Sequence, residues 1–563
     1  MQWCSCLRWL LSLALLLVAA CRDAHAGATP ANNAGLRNDG DLHTFVTRPD
    51  IRSPKFINTV NNVDKVTPGY LFLAPYDCLE CESPSSLYIS QQIGPHIYDG
   101  HGELVWSGAS VARNRRAFDF KVTTIGGVGH LTFVAPNSTS RSVFGHSVGY
   151  IIDATLQLKA QVHHPDDKQD FHEFTTLHDG YSAIITLRQE RQSSSPRTTF
   201  LDRGFQEVRI RDNHVLFEWW ASEHLSLEEN ISPSVEQGIW DPFHVNAIEK
   251  TDNGEYLVSA RATDTIYLLS AEDGRVIWRL GGTNSDFRLD GFTFSRQHDA
   301  RLRSRNDTTI QLSFLDNAYD GIGSTPTAEQ SSLLTVALHL TTSPMTATLV
   351  RRIPRPDGLY TFARGNMQVL DNGNVLANWG DNAYITEHTA GGELVFEGSF
   401  ISSRLLNYRA YKFNFTSYPT DWPVAKAMVS INAQQKPITI IYVSWDGATQ
   451  VHSWKAYAVK SDNDPGIVIG ETRKTGFETS LVCQGYHSRI SVEALDMNGE
   501  RLSESPIIIT ELPLGWDIGS TDGIFPRLGI DRRFISTFLA GMVVMFLLLR
   551  VRTKRSRRVL PRS

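Results

Sequence analysis

Cysteine is scarce in this chain. There are six in 563 residues, and three of them (Cys4, Cys6 and Cys21) fall within the first 21. A fold stapled by many disulfides is thereby excluded. Cations are not in excess either. With Arg8, Arg22, Asp23 and everything from Asp531 onward set aside, 43 Lys and Arg face 58 Asp and Glu, a balance of 15 negative charges. That balance argues against a nucleic-acid partner. Helical periodicity is almost missing between residues 68 and 515, which removes the helical fold classes. Long apolar runs occur only near the two ends.

The first of these runs, Trp9 to Ala20, follows Arg8 and precedes the small-residue triplet Ala24-His25-Ala26. Twelve residues at about 1.5 Å each cannot cross about 30 Å of hydrocarbon, so residues 1–26 read as a secretory signal peptide. The second run, Phe534 to Leu549, is flanked by Arg532 and Arg533 before it and by a larger basic cluster after it. It reads as a transmembrane helix over 534–549, reached by a linker (516–533) and followed by a basic cytosolic tail (550–563). These features predict a single-pass type I membrane protein of the secretory pathway or cell surface, its main body lumenal or extracellular.

Between the ends, short alternating or β-rich runs are bounded by Gly, Asn and Asp, which predicts an all-β fold. One theme recurs: a small turn, then apolar alternation ending on an aromatic, as in GELVWSG (102–108), NHVLFEWW (213–220), GRVIWRLGG (274–282) and GELVFEGSF (392–400). Units that cannot bury both faces alone need neighbours, so the repeat predicts a six-bladed β-propeller over 68–424. Its blades are drawn near 68–108, 116–163, 170–220, 243–280, 297–352 and 362–400. One or two sandwiches are the alternative, since regular turn signals suit them too. Residues 27–67 read as irregular, and 425–515 as a small β-sandwich of immunoglobulin or fibronectin kind.

Cys78 and Cys81 are candidates for a local disulfide. With His96 and His101 they also approach a zinc-finger spacing, but the two histidines lie in a strand-turn-strand pattern without the helix such a site uses. No metal or cofactor is expected. Cys483 reads as a buried apolar residue. Sequons begin at Asn137, Asn230, Asn306 and Asn414, four candidate glycosylation sites on the non-cytosolic side.

Two segments carry candidate chemistry. WDPFH places His244 at a strand start beside Asn246, and SRQHDA places His298 between Gln297 and Asp299. In a propeller such positions converge on the central channel, where two imidazoles and Arg261 would surround one small anion. His172 and His178, in DFHEFTTLHDG, read as packing residues. His388, after Glu387, reads as exposed, and Arg261 as a possible partner of Asp264 or Glu255.

The stretch from Phe243 through Arg301, with F-H-x-N-x-I, N-G-x-Y-L-V-S-x-R, G-x-V-I-W-R-L-G-G and Q-H-D-A, together with G-N-M-Q-V-L-D-N-G-N at 365–374, resembles the aryl sulfotransferase family. The similarity spans most of 68–515 and is closest to fungal-type members. The resemblance implies a six-bladed propeller that moves a sulfuryl group from an aryl sulfate to a phenol through a sulfated histidine, without a nucleotide donor. It carries over His244, His298 and Arg261 as the sulfate-holding and acid-base residues, and Asn246, Gln297, Asn317 and Arg364 as substrate-binding residues. The family's attacking histidine has no clear counterpart; the later histidines are His339 and His388. The expected partner is an aromatic or sulfated small molecule, with the membrane as the other partner through the C-terminal helix. The alternatives are a non-catalytic ligand- or partner-binding propeller, and a same-fold enzyme with altered chemistry on a phenolic metabolite.

Overall fold

The computed structural model describes residues 39–77, 93–137, 147–193, 198–232, 235–236, 238–322, 325–380, 383–403, 405–462, 464–513, 516–518 and 524–526. These residues are all-β, with only short helical turns between strands. The local cause is visible in runs such as YLVSA (Tyr256–Ala260) and TIYLL (Thr265–Leu269), in which every residue is buried. β-branched and aromatic side chains of this kind suit a pleated surface covered on both faces. Turns such as Thr251–Gly254, with Gly254 at φ +89°, close the hairpins between them.

Five sheets follow the chain as antiparallel meanders: 118–162, 169–220, 245–281, 298–354 and 366–400 each supply four consecutive strands. The first strand of each touches the first strand of the next, Phe118–Ile125 against Gln169–Leu177, then Val245–Lys250, His298–Arg305 and Asn366–Val369. Apolar cores lie between successive sheets; one joins Trp278, Leu280 and Phe287 to Phe314, Leu334 and Val336.

The all-β expectation holds, but the six-bladed propeller with a transmembrane helix is corrected. The described strands do not divide into six equal blades. They form ten sheets of two to six strands, and no closed six-bladed ring is shown by them. The reason is long-range pairing. The segment 68–108 joins a sheet completed by Tyr411–Phe413, and 362–400 gains a strand from Phe56–Val60. Parallel additions extend two more: Ile239–Trp240 pairs with Thr199–Arg209, and Phe287–Asp290 with Met345–Pro354. Among the described residues no helix is long and apolar enough to cross a membrane. The segments 1–26 and 534–549, on which the signal peptide and the membrane helix were placed, lie outside the described residues.

Residues 424–509 form a three-stranded and a five-stranded sheet over one core of Ala425, Ala427, Ile441, Val443, Trp454, Leu481, Ile490 and Val492. Cys483 lies in that core as a free thiol, and burial pushes its pKa up. The core of this pair is joined to the earlier sheets through the turn after Ser444. Asp446 Oδ1 accepts from Ser107 N (3.0 Å), and Gly447 N donates to Val105 O (2.9 Å). Gly447 sits at φ +81°, and a Cβ there would lie 2.2 Å from Leu156 Cδ1, so the joint needs glycine. Asp446 is largely withdrawn from water, with Arg48 3.7 Å away, and burial raises its pKa to about 7.

Candidate active site

His244 closes the turn Asp241-Pro242-Phe243-His244. Phe243 is fully buried and anchors the turn, while Asp241 folds back onto it. Its Oδ1 accepts the backbone N–H of His244 at 3.2 Å and its Oδ2 faces His244 Nδ1 at 2.6 Å. The ring is thus held with Nδ1 protonated and Nε2 turned outward. His244 takes φ +48°, an uncommon conformation that the carboxylate helps to fix. Its side chain is 19 % exposed. Burial pushes its pKa below 6.5 despite the opposing pull of Asp241.

Arg261 is brought to His244 by the backbone. Its N–H donates to His244 O at 3.0 Å, and Ala262 N donates to Phe243 O at 3.1 Å. The guanidinium bonds neither Asp264 nor Glu255, which pair instead with Arg296 and Arg305. Nη2 donates to Phe362 O at 3.1 Å, and the buried Nε has no hydrogen-bond partner.

His298 has a different environment. Nδ1 faces Asn317 Oδ1 (2.7 Å) and Arg296 O (3.0 Å), so it carries the proton, and Nε2 accepts the backbone N–H of Arg364 at 3.1 Å. The ring is buried, and burial followed by the nearby Arg261 charge holds its pKa well below the usual range.

Three of the expected substrate-binding residues serve as pegs between strands. Asn246 Nδ2 donates to Gln297 O (2.8 Å). Gln297 Nε2 donates to Ala260 O and Thr265 O. Asn317 Nδ2 donates to Thr361 O and Arg364 O. All three are fully buried. Arg364, at φ +69°, contributes its main-chain N–H to His298.

The structure adds a group that the sequence reading missed. His172 Nδ1 bonds Asp170 Oδ1, and the His172 ring meets the His244 ring edge to face, centroids 5.2 Å apart. Arg203, 1 % exposed, joins both acids: Nη1 donates to Asp170 Oδ2 (2.5 Å), Nη2 to Asp241 Oδ2 (2.7 Å) and Nε to Asp241 Oδ1 (3.1 Å). Burial alone would raise the two carboxyl pKa values. The Arg203 guanidinium and the imidazoles that bond them hold both well below the ordinary range. Ligand atoms of Glu236, Asp241 and His244 lie within 4.8 Å of one another. Arg203 and Arg188 already neutralise these carboxylates, so the cationic charge a metal would bring is supplied by guanidinium.

The later histidines stay outside this group. His339 bonds Thr348 Oγ1 (3.0 Å). His388, expected exposed, is buried and bonds Thr386 Oγ1 (3.0 Å). His96 is buried against Gly94 O and Ser107, while Cys78 and Cys81 lie outside the described residues. Asn137, Asn306 and Asn414 are exposed; Asn230 is half-buried, its Nδ2 donating to Pro242 O (2.9 Å) and Ala262 O (3.3 Å). Two cavities, of about 630 and 430 Å³, lie elsewhere, and neither is lined by His172, His244, Arg261 or His298.

Paired imidazoles, each held by a carboxylate beside a buried guanidinium, are an arrangement whose chemistry suits group transfer or anion binding. Residues 118–401, half of the chain, match the family described as Arylsulfotransferase (ASST), and the chain belongs to that family. No curated protein matches. Among solved structures, a protein of unknown function from Bacteroides caccae is 13% identical, with 62% of this chain and 99% of that one covered at a TM-score of 0.36. Hydrazine synthase of Kuenenia stuttgartiensis is 11% identical over 63% and 88%, TM-score 0.27. Similarities this remote bear on neither the fold nor the activity.

Proposed function

We propose that this protein transfers a sulfuryl group between phenolic compounds without a nucleotide donor, through the imidazoles around Arg261. A neutral imidazole attacks sulfur and carries the group, which divides one difficult transfer into two steps. A second imidazole exchanges the phenolic proton, and arginine neutralises the sulfuryl oxygens while keeping its own charge. The observation that carries this reading is His244: Asp241 holds its Nδ1–H, and its Nε2 makes no hydrogen bond among the described residues. The buried Nε of Arg261, also without a partner, supports it.

The test is incubation of the purified full chain with a chromogenic aryl sulfate and a phenol, followed by mass spectrometry for sulfated histidine. Turnover lost in His244→Ala supports the reading; a wild type that transfers nothing overturns it. The cap of Arg364 N–H on His298 Nε2 favours one second reading, a site that binds an aromatic or sulfated ligand without turning it over. Saturable binding without transfer is its signature.

A further inference from the structure

We propose a second ligand site, apart from the imidazoles, that takes a free α-amino acid with an apolar side chain, its carboxylate on Arg303 and its ammonium on Glu249. The site shares no residue with the group around His244, so its fate and that of the transferase reading are separate.

Glu249, Lys250 and Arg303 line both of the cavities of about 630 and 430 Å³. Five cations border this space, and four are taken by carboxylates: Lys121 by Asp119 and Glu173, Arg301 by Glu173 and Asp299, Lys250 by Glu207, and Arg305 by Glu255. Arg303 forms no ion pair among the described residues. The register of His298–Arg305 against Thr309–Asp316 shifts between Leu302 and Ser304, which makes Arg303 the extra residue of a bulge. Bulges re-aim side chains. Here the guanidinium is turned onto its own sheet, where Nε donates to Ser313 Oγ at 2.6 Å. Nη1 and Nη2 make no hydrogen bond among the described residues, and this planar pair of donors matches a carboxylate.

Glu249 is the complementary unpaired acid. It reaches over from Val245–Lys250 of the neighbouring sheet, and its Oε2 accepts the backbone N–H of Leu302 at 2.6 Å. Oε1 makes no hydrogen bond among the described residues. Burial pushes the Glu249 carboxyl pKa up and the Arg303 pKa down, as for charges withdrawn from water without a close partner. A simple anion would satisfy Arg303 and meet repulsion from Glu249; a simple cation would do the reverse. An α-amino acid carries both charges on one carbon and answers both groups at once. Val122, Leu177 and Phe413, half-buried around the smaller cavity, give its side chain an apolar wall. The volume of about 430 Å³ lies in the range of small-molecule sites.

Isothermal titration calorimetry on the full chain tests the site with L-phenylalanine, L-leucine and two half-ligands, 3-phenylpropanoate and 2-phenylethylamine. The amino acids should bind saturably, and each half-ligand at least about 10-fold more weakly, because it forfeits one charge-assisted contact. Arg303→Gln and Glu249→Gln should each cost the amino acids a similar factor, with the thermal unfolding midpoint showing that the variants are folded. Arg303→Lys, which keeps the charge and loses the fork, should fall between. Glu249→Gln should in addition strengthen 3-phenylpropanoate by removing the opposing charge. The proposal is overturned if neither amino acid binds at millimolar concentration, or if a folded variant binds them as the wild type does. It is overturned equally if either half-ligand binds as tightly as L-phenylalanine, which marks a site for a single charge; that comparison needs the wild type alone and decides even where a variant does not fold.

Discussion

Successive residues of the same strands lead opposite lives. His172 and His298 face the candidate site, while the next residues, Glu173 and Asp299, point the other way into a belt of buried charge. In that belt Arg409 Nη1 meets Asp119 (2.8 Å) and Glu173 (3.0 Å), Arg301 meets Glu173 and Asp299 (2.7 Å each), and Lys121 meets Asp119 (2.7 Å) and Glu173 (3.1 Å). Tyr411 donates to Asp119 as well (2.9 Å). On the other side, His244 Nε2 has no hydrogen-bond partner among the described residues and Arg261 Nε is buried without one. The belt gives each of its three cations two or more carboxylates and so fixes the strands; within it Arg409 Nε, 3.7 Å from Asp299 Oδ1, makes no hydrogen bond. The imidazole side keeps atoms in reserve, which chemistry requires.

The strongest way to break this contrast is Glu173→Ala, which takes a shared partner from three cations at once. Loss of one member of a buried ion-pair group costs about 3–5 kcal/mol, and the upper part of that range is expected here. Chemical denaturation measures it; an unchanged midpoint would return the belt to the status of surface charge. His244→Ala should do the reverse, lowering sulfuryl transfer about 10³-fold, which is about 4 kcal/mol, while stability moves by less than about 1 kcal/mol. A loss of stability as large as that for Glu173→Ala would merge the two sides.

The third prediction concerns pH. Burial lowers the His244 pKa below 6.5, so the ring stays neutral and nucleophilic into mildly acidic solution. The acidic limb of kcat/KM should have its midpoint below 6.5, and a midpoint above that value contradicts the assignment. The smallest effect concerns Asp446, a buried carboxylate with only a distant cation, Arg48, where the belt acids have two or three close ones. Its folded pKa, about 7, lies above its unfolded value of 3.8. The stability it contributes is therefore complete below about pH 4 and is lost as the pH rises through 7. Asp446→Asn should be stabilising at pH 8 by roughly 1–2 kcal/mol and neutral at pH 4. Equal effects at both pH values would show that Arg48 neutralises the group after all.

Legibility in the sequence followed distance along the chain. Strand character and the pairing of His244 with Arg261 were readable, because period-two patterning and a hairpin of under twenty residues are local. The sheet memberships of Phe56–Val60 and Tyr411–Phe413 were not, since their partners lie far along the chain and their own patterns fit any edge. His172 was read as packing because it stands in a β-rich run between Phe171 and Phe174. The one local hint was Asp170 two residues before it, comparable to Asp241 three before His244. Arg203, inside the buried strand Thr199–Arg209, gave no sign of joining both acids. Asn246, Gln297 and Asn317 were expected to bind substrate, and their amide nitrogens bond backbone carbonyls; a buried amide bonded to backbone looks in sequence like one aimed at a ligand.

The pairing of Phe56 with Phe400 and of Tyr70 with Phe413 sets a clock on biosynthesis. Roughly 340 residues separate each strand from its partner, which at about 5–20 residues per second means about 20–70 s of translation. Throughout that interval the first sheet exposes an open edge able to recruit strands from other chains. A nascent chain interrupted near residue 390 would keep that edge permanently, so the few residues 394–413 decide whether the whole amino-terminal portion ends as a folded product or as an aggregate.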